Sequence, residues 1–271
     1  MTNPVLNFLA LGFYITAGAL IALRLGQGQS ITRGAKIGML SLVLGAIVLH
    51  AAVLYPALQG EVALNLSLTT AFSLVAWIVA VFYLAASLYR PVDNLGVLVM
   101  PLTALTMLAA WSWPGQHLIP VSSQWQAIHI VVSLLAYSLL CLAAIQSLLL
   151  LAQERGLKRK NTGGFIRALP PMETTETLMF QMIALGFGLL TLTVASGLVF
   201  AETVFGKPFR FNHHIVLAIG TWVVYVILLF GRWRLGWRGR PAIRWTLGGF
   251  ILLVLAYFGS KFVLEVVLGR N

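Results

Sequence analysis

The chain carries eight separate runs of about twenty apolar residues, and this repetition limits its fold more than any other feature. Such a run spans the roughly 30 Å hydrocarbon core of a bilayer at 1.5 Å rise per residue. Inside lipid the backbone has no water to bond, so each run must satisfy its own N–H and C=O groups as a helix. The runs fall at about 5–23, 36–55, 66–88, 95–111, 127–151, 177–200, 213–231 and 243–264. The fourth is the shortest and also reads as a tilted or partial span. Gly26 and Gly28, Pro56 and Gly60, Pro91, Pro114 and Gly115, Pro170 and Pro171, Pro208 and Pro241 mark the joints. With 9% charged residues, the chain has no stretch long and polar enough for a soluble domain. The expected fold is an all-α membrane protein, a polytopic bundle of eight transmembrane helices forming a single transmembrane domain over residues 1–271. The first run has no basic segment before it and no A-x-A site after it, so it reads as a retained span and not a signal peptide.

Charge orients the bundle. Arg24, Arg33, Lys36, Arg90, Arg155, Lys158, Arg159, Lys160, Arg167, Arg232, Arg234, Arg238, Arg240 and Arg244 all fall on one side, 14 of the 18 basic residues. Lys207, Arg210, Lys261 and Arg270 fall on the other. Basic loops stay in the cytoplasm, which puts both termini on the periplasmic side. An odd span count would break this segregation. The net charge of +11 is thus a topology signal; no basic-aromatic interleaving points to nucleic acid. The loop RWRLGWRGRPAIRW reads as an interfacial anchor against anionic lipid.

On this topology all five histidines lie toward the outer face. His50 ends the second run, His117 sits in the loop 112–126, His129 opens the fifth run, and His213 and His214 open the seventh. Ionisable groups within spans are costly and usually functional, and imidazole is a common ligand of haem iron. Haem also needs apolar or aromatic walls and cations for its propionates. Trp125, His129, Ser133 and Tyr137 share one face of the fifth helix, and His214, Ala218, Trp222 and Tyr225 form a stripe on the seventh. Lys207 and Arg210 precede that helix and suit propionates. The candidate cofactor-binding residues are His129, His50, His214, His213, Trp125 and Trp222, with His129 and His50 as iron ligands. Each has an ordinary alternative. A histidine at a span end is often interfacial, tryptophans near span ends form aromatic belts, and one of two adjacent histidines points away. Glu173 and Glu176 read as first-turn acids of the sixth helix.

No carboxylate pair, nucleophile triad, P-loop or HExxH is present, so the chain reads as no enzyme. Cys141 is alone, which excludes a thiol relay within this chain. No inverted repeat suggests a transporter.

Four segments carry a resemblance. They are HAAVLYPALQGEVALNLSLTTAFSLVAW from His50 to Trp77, WQAIHIVVSLLAYSLL from Trp125 to Leu140, LPPMETTETLMFQMIALGFGLLTLTVASGLVFAETVFG from Leu169 to Gly206, and TWVVYVILLFGRWRLGWRGRPAIRWTLGGFILLVLAYFGSKF from Thr221 to Phe262. Together they resemble the integral-membrane cytochrome c assembly (haem-handling) family, most closely its short HemX/YpjD-type branch. The resemblance implies a multi-pass protein of the bacterial inner (plasma) membrane that binds haem b at the periplasmic face in cytochrome c biogenesis. It matches His129 to the family's first outer histidine and His50 to its first transmembrane one. The family's Trp-rich motif, W-G-x-Y-W-x-W-D, is replaced by FGKPFRFNHH, from Phe205 to His214. Its second transmembrane histidine would fall near Phe230 and its last outer one near Leu268, and both are missing. The surviving histidines suit one haem, with His129 paired to His50 or His214. The alternative implied is a non-haem accessory or regulatory protein acting through another membrane protein, in the HemX manner. The expected partners are the lipid bilayer, haem and such a protein.

Overall fold

Each of the eight apolar runs forms a helix long and apolar enough to cross a membrane. The computed structural model describes residues 3–28, 32–58, 63–115, 117–121, 123–160, 163–199 and 213–262. Within these the order is α1 (Pro4–Gly26), α2 (Arg33–Leu58), β1 (Ala63–Asn65), α3 (Leu68–Tyr89), α4 (Gly96–Ser112), β2 (Leu118–Pro120), α5 (Gln124–Lys158), α6 (Gly164–Ala168), α7 (Met172–Val199), α8 (His213–Arg234) and α9 (Arg240–Val254). A π-helical turn, Leu255–Gly259, continues α9. Pro56 does not mark a joint as expected: it lies within α2, near its end. Leu9, Ile15, Leu44, Val48, Leu105 and Leu192 project outward from the spans. Lipid tails solvate such side chains, whereas water would not tolerate so much contiguous apolar surface.

The fifth helix overruns its expected limits, 127–151, at both ends. At 35 residues it is about 52 Å long, well beyond the bilayer core. Its C-terminal turns, QERGLK, are polar but strongly helix-forming, and Lys158 pairs with Glu154 one turn back at 2.5 Å.

The chain divides into two compact units. The first comprises Met1–Gly60, Thr69–Gly115 and Leu148–Thr175. In it α1 packs on α2 and α4, burying Asn7, Ala10, Tyr14, Ala17, Gly18, Ile21 and Leu25 at helical spacing. Gly18 is small for a reason: a Cβ there would stand 3.1 Å from Met100 Cβ. Such close backbone approach replaces the hydrophobic drive that lipid removes. Trp77 Nε1–H donates to the Ile47 carbonyl at 2.9 Å, and Lys36 pairs with Asp93 at 3.1 Å.

The second unit comprises Glu61–Leu68, Gln116–Ser147 and Glu176–Asn271. Its one surprise for an all-α expectation is the antiparallel pair β1–β2, with Leu64 opposite Ile119. Asn65 Oδ1 accepts from the backbone N–H of His117 (3.1 Å) and of Ser67 (3.2 Å), locking both strand ends. Glu176, expected as a first-turn acid, lies beyond the first turn of α7, where Glu173 stands. It takes Arg232 at 3.3 Å and the Gly239 N–H at 3.3 Å, while the Arg232 guanidinium lies 4.6 Å from the Phe180 ring centroid. Arg232 therefore turns into the protein, unlike the lipid anchor expected of its loop.

Candidate functional site

In the first unit His50 is completely buried on α2, and both its ring nitrogens are engaged. Nδ1 meets the Tyr14 hydroxyl at 3.3 Å and Nε2 meets Ser73 Oγ at 2.9 Å. With the proton on Nε2, that N–H donates to Ser73 and the tyrosine hydroxyl donates to Nδ1; the other tautomer reverses both. The Tyr14 ring stands edge-on to the imidazole at 5.8 Å. This polar triad closes on itself, so His50 would have to give up Ser73 or Tyr14 to ligate a metal.

The second unit holds the other three histidines with described side chains. His129, on the first turns of α5, has Nδ1 2.7 Å from Ser196 Oγ of α7. The Ser196 hydroxyl donates its proton to the Thr193 carbonyl at 3.1 Å, so toward His129 the oxygen accepts. The tautomer that keeps both bonds has the imidazole proton on Nδ1 and the lone pair on Nε2. His214, on α8, has Nδ1 2.5 Å from the Ala256 carbonyl in the π-helical turn. A carbonyl can only accept, so His214 too carries its proton on Nδ1 and its lone pair on Nε2. Metal-binding histidines are held in just this way, with the second ring nitrogen donating to an oxygen. Both histidines belong to the same compact unit.

Aromatic groups extend from His214. The Tyr257 ring lies 6.4 Å from His214 and 5.8 Å from Tyr137, two turns beyond His129 on α5. Lys261, 8% exposed, holds Nζ 5.4 Å from the Tyr257 ring. Gly197 leaves room beside His129: a Cβ there would meet Cε1 at 3.5 Å. Trp222 is anchored by its Nε1–H to Thr191 Oγ1 at 3.0 Å and lies 5.8 Å from the Phe187 ring. Trp125 is 58% exposed and stands where an interfacial belt residue would. His117 is held by backbone bonds in the loop against β1, with its Nδ1 buried. His213 opens α8, but its side chain lies outside the described residues, as do Lys207, Arg210, Leu268 and most of the FGKPFRFNHH stretch.

The sequence thus identified His129 and His214 but missed Ser196, Tyr257 and the Ala256 carbonyl. Ser196 follows Thr193 by three residues, so the two small polar side chains share a face of α7. Nothing in the sequence marks the π-helical turn. No group of three or more His, Cys, Asp or Glu able to hold a bare metal ion occurs among the described residues.

A family model described as cytochrome C assembly protein matches residues 37–268. The chain belongs to the cytochrome c assembly family. It is similar to the inner membrane protein YpjD of Escherichia coli strain K12, 34% identical across 97% of this chain and 99% of that protein. It is also similar to the cytochrome c biogenesis protein CcsA of Chlamydomonas reinhardtii, 30% identical over 63% of this chain and 49% of CcsA. Protein HemX of Brevibacillus brevis is 24% identical over 51% of each chain. Membership in this haem-related family bears on the histidines directly, because the matched region contains all five.

Proposed function

We propose that this protein binds one haem b through His129 and His214, toward the periplasmic face, and handles it in cytochrome c biogenesis. The chain is a multi-pass inner-membrane protein: eight helices are fit to span, and its full-length relative in Escherichia coli is an inner membrane protein. The observation that carries the haem reading is the shared tautomer. Two imidazoles from different helices each commit Nδ1–H to an oxygen and so present Nε2 as the ligand atom. Tyr137 and Tyr257 fit a porphyrin's need for aromatic neighbours, and Lys261 fits its need for a cation. Bound haem would supply an iron that accepts axial nitrogens. The protein's own part is to hold the rings in one tautomer and keep them out of bulk water. This is a binding role, with no group-transfer chemistry assigned to the chain.

The reading is tested by titrating haem into detergent-purified protein and following the Soret band. Uptake with the spectrum of bis-imidazole coordination is expected, and a protein that stays colourless with excess haem would refute the proposal. Replacing Ser196 with Ala removes the acceptor for His129 Nδ1–H. Loss of such a supporting bond weakens ligation by roughly 10–100-fold, so haem affinity should fall within that range while the fold persists.

A second reading is an accessory protein that acts through another membrane protein without haem. The replacement of the family's tryptophans by Phe209 and Phe211 favours it. It predicts a partner that co-purifies in mild detergent in stoichiometric amount; isolation of the chain alone speaks against it.

A further inference from the structure

We propose that a pocket at the basic end of the first unit binds a phosphate-bearing headgroup, the chemistry of an anionic phospholipid. The cavity measures 490 Å³ and is lined by Gly26 at the end of α1, by Arg155, Gly156 and Arg159 on the last turns of α5, and by Gly164 and Phe165 of α6. That volume lies in the range of small-molecule sites.

Arg155 and Arg159 are four residues apart on one helix, so their side chains leave the same face. Like charges at that spacing repel, and an anion held between them reverses the repulsion. The adjacent carboxylate is already engaged: Glu154 pairs with Lys158. Among the described residues neither pocket arginine is in an ion pair. Guanidinium groups bind phosphate bidentately, which suits them to this task better than lysine.

Glycine makes the floor of the pocket. A Cβ on Gly164 would fall on the Gly26 carbonyl oxygen, and Gly28, at φ +67°, would bring a Cβ within 3.4 Å of Gly164 Cα. Glycine at 164 lets the two backbones touch, Gly28 is needed for its positive φ, and the contact brings α6 up against the end of α1. Phe165 and Ala152 add apolar wall, which suits the glycerol and first acyl carbons of a lipid more than a free phosphate. Both α1 and α5 end here, on the side that carries 14 of the 18 basic residues. Basic pockets among spans on the cytoplasmic side are a recognised setting for anionic headgroups.

The test is native mass spectrometry of the full chain, with phosphatidylglycerol, phosphatidylcholine or inorganic phosphate added to the delipidated protein. Wild-type protein is expected to retain phosphatidylglycerol over phosphatidylcholine. The double substitution Arg155→Gln with Arg159→Gln should weaken that retention about 25-fold, taking roughly fivefold for each arginine near an anionic surface. Ala152→Leu narrows the cavity with both charges kept and should also weaken it. Arg167→Gln lies on the same membrane side but outside the pocket and should leave retention unchanged. Inorganic phosphate that binds the wild type and displaces the lipid at equal concentration supports the anion site and makes soluble phosphate the source. Equal retention of both lipids, or a double variant and an Arg167→Gln variant that behave alike, overturns the proposal.

Discussion

A His129→Ala variant is expected to take up haem at least about a hundredfold more weakly than the wild type, with the Soret band nearly lost at micromolar haem. Disturbing only a group that supports a ligating histidine costs 10–100-fold, and removing the ligand itself costs no less. The direction follows from the hydrogen-bond chain. Thr193 takes the proton of Ser196, Ser196 takes the proton of His129 Nδ1, and the lone pair is left on Nε2. Alanine deletes the donor nitrogen and leaves His214 as the remaining imidazole. The fold should survive, because His129 is only partly buried and Ser196 keeps its bond to Thr193. Thermal unfolding followed by far-ultraviolet circular dichroism provides that control. Haem affinity equal to wild type in a folded variant would remove His129 from the site. The matching His214→Ala variant should lose a comparable amount, since its ring is held by the same logic against the Ala256 carbonyl.

The second large effect is on stability. His50→Ala is expected to destabilise the protein by about 2–4 kcal/mol, most of it from the cavity left in a fully buried position. The unpaired Tyr14 hydroxyl and Ser73 hydroxyl add less. Hydrogen bonds between membrane helices average only about 0.6 kcal/mol, because the separated helices find other partners. His50→Gln keeps a donor and an acceptor at nearly the same volume and should recover part of the loss. Haem affinity should change by less than about twofold in either variant. If His50→Ala instead keeps its unfolding temperature but no longer takes up haem, His50 is an iron ligand and the triad with Tyr14 and Ser73 is secondary.

These two histidines show what the sequence can and cannot display. The eight spans are legible because a bilayer imposes length and apolarity on every segment that crosses it. Histidine position along a span is legible for the same reason. What each histidine does is decided by partners far away in sequence. His50 is satisfied by Tyr14, 36 residues before it, and Ser73, 23 residues after it. His129 depends on Ser196, 67 residues on. No periodicity encodes those distances. The strands β1 and β2 escaped notice because three residues each are too few to display an alternation. The ends of α5 were misjudged because hydropathy stops where the lipid stops, while helix propensity continues into water.

The turn Leu255–Gly259 has a consequence for tolerance to length change. A π-helical turn accommodates one residue more than the α-helical path requires. Removing a single residue there would let the helix revert to regular winding without breaking the chain. The shortened turn would wind through nearly the same angle, so the residues beyond it would keep their facing and the change would be confined to the turn itself. Within the turn, the Ala256 carbonyl that fixes the His214 tautomer would shift from its place. The span would still cross the membrane, yet His214 would be free to carry its proton on either nitrogen. In this protein a one-residue deletion some forty residues along the chain from His214 would therefore act on the site through the carbonyl that the turn presents.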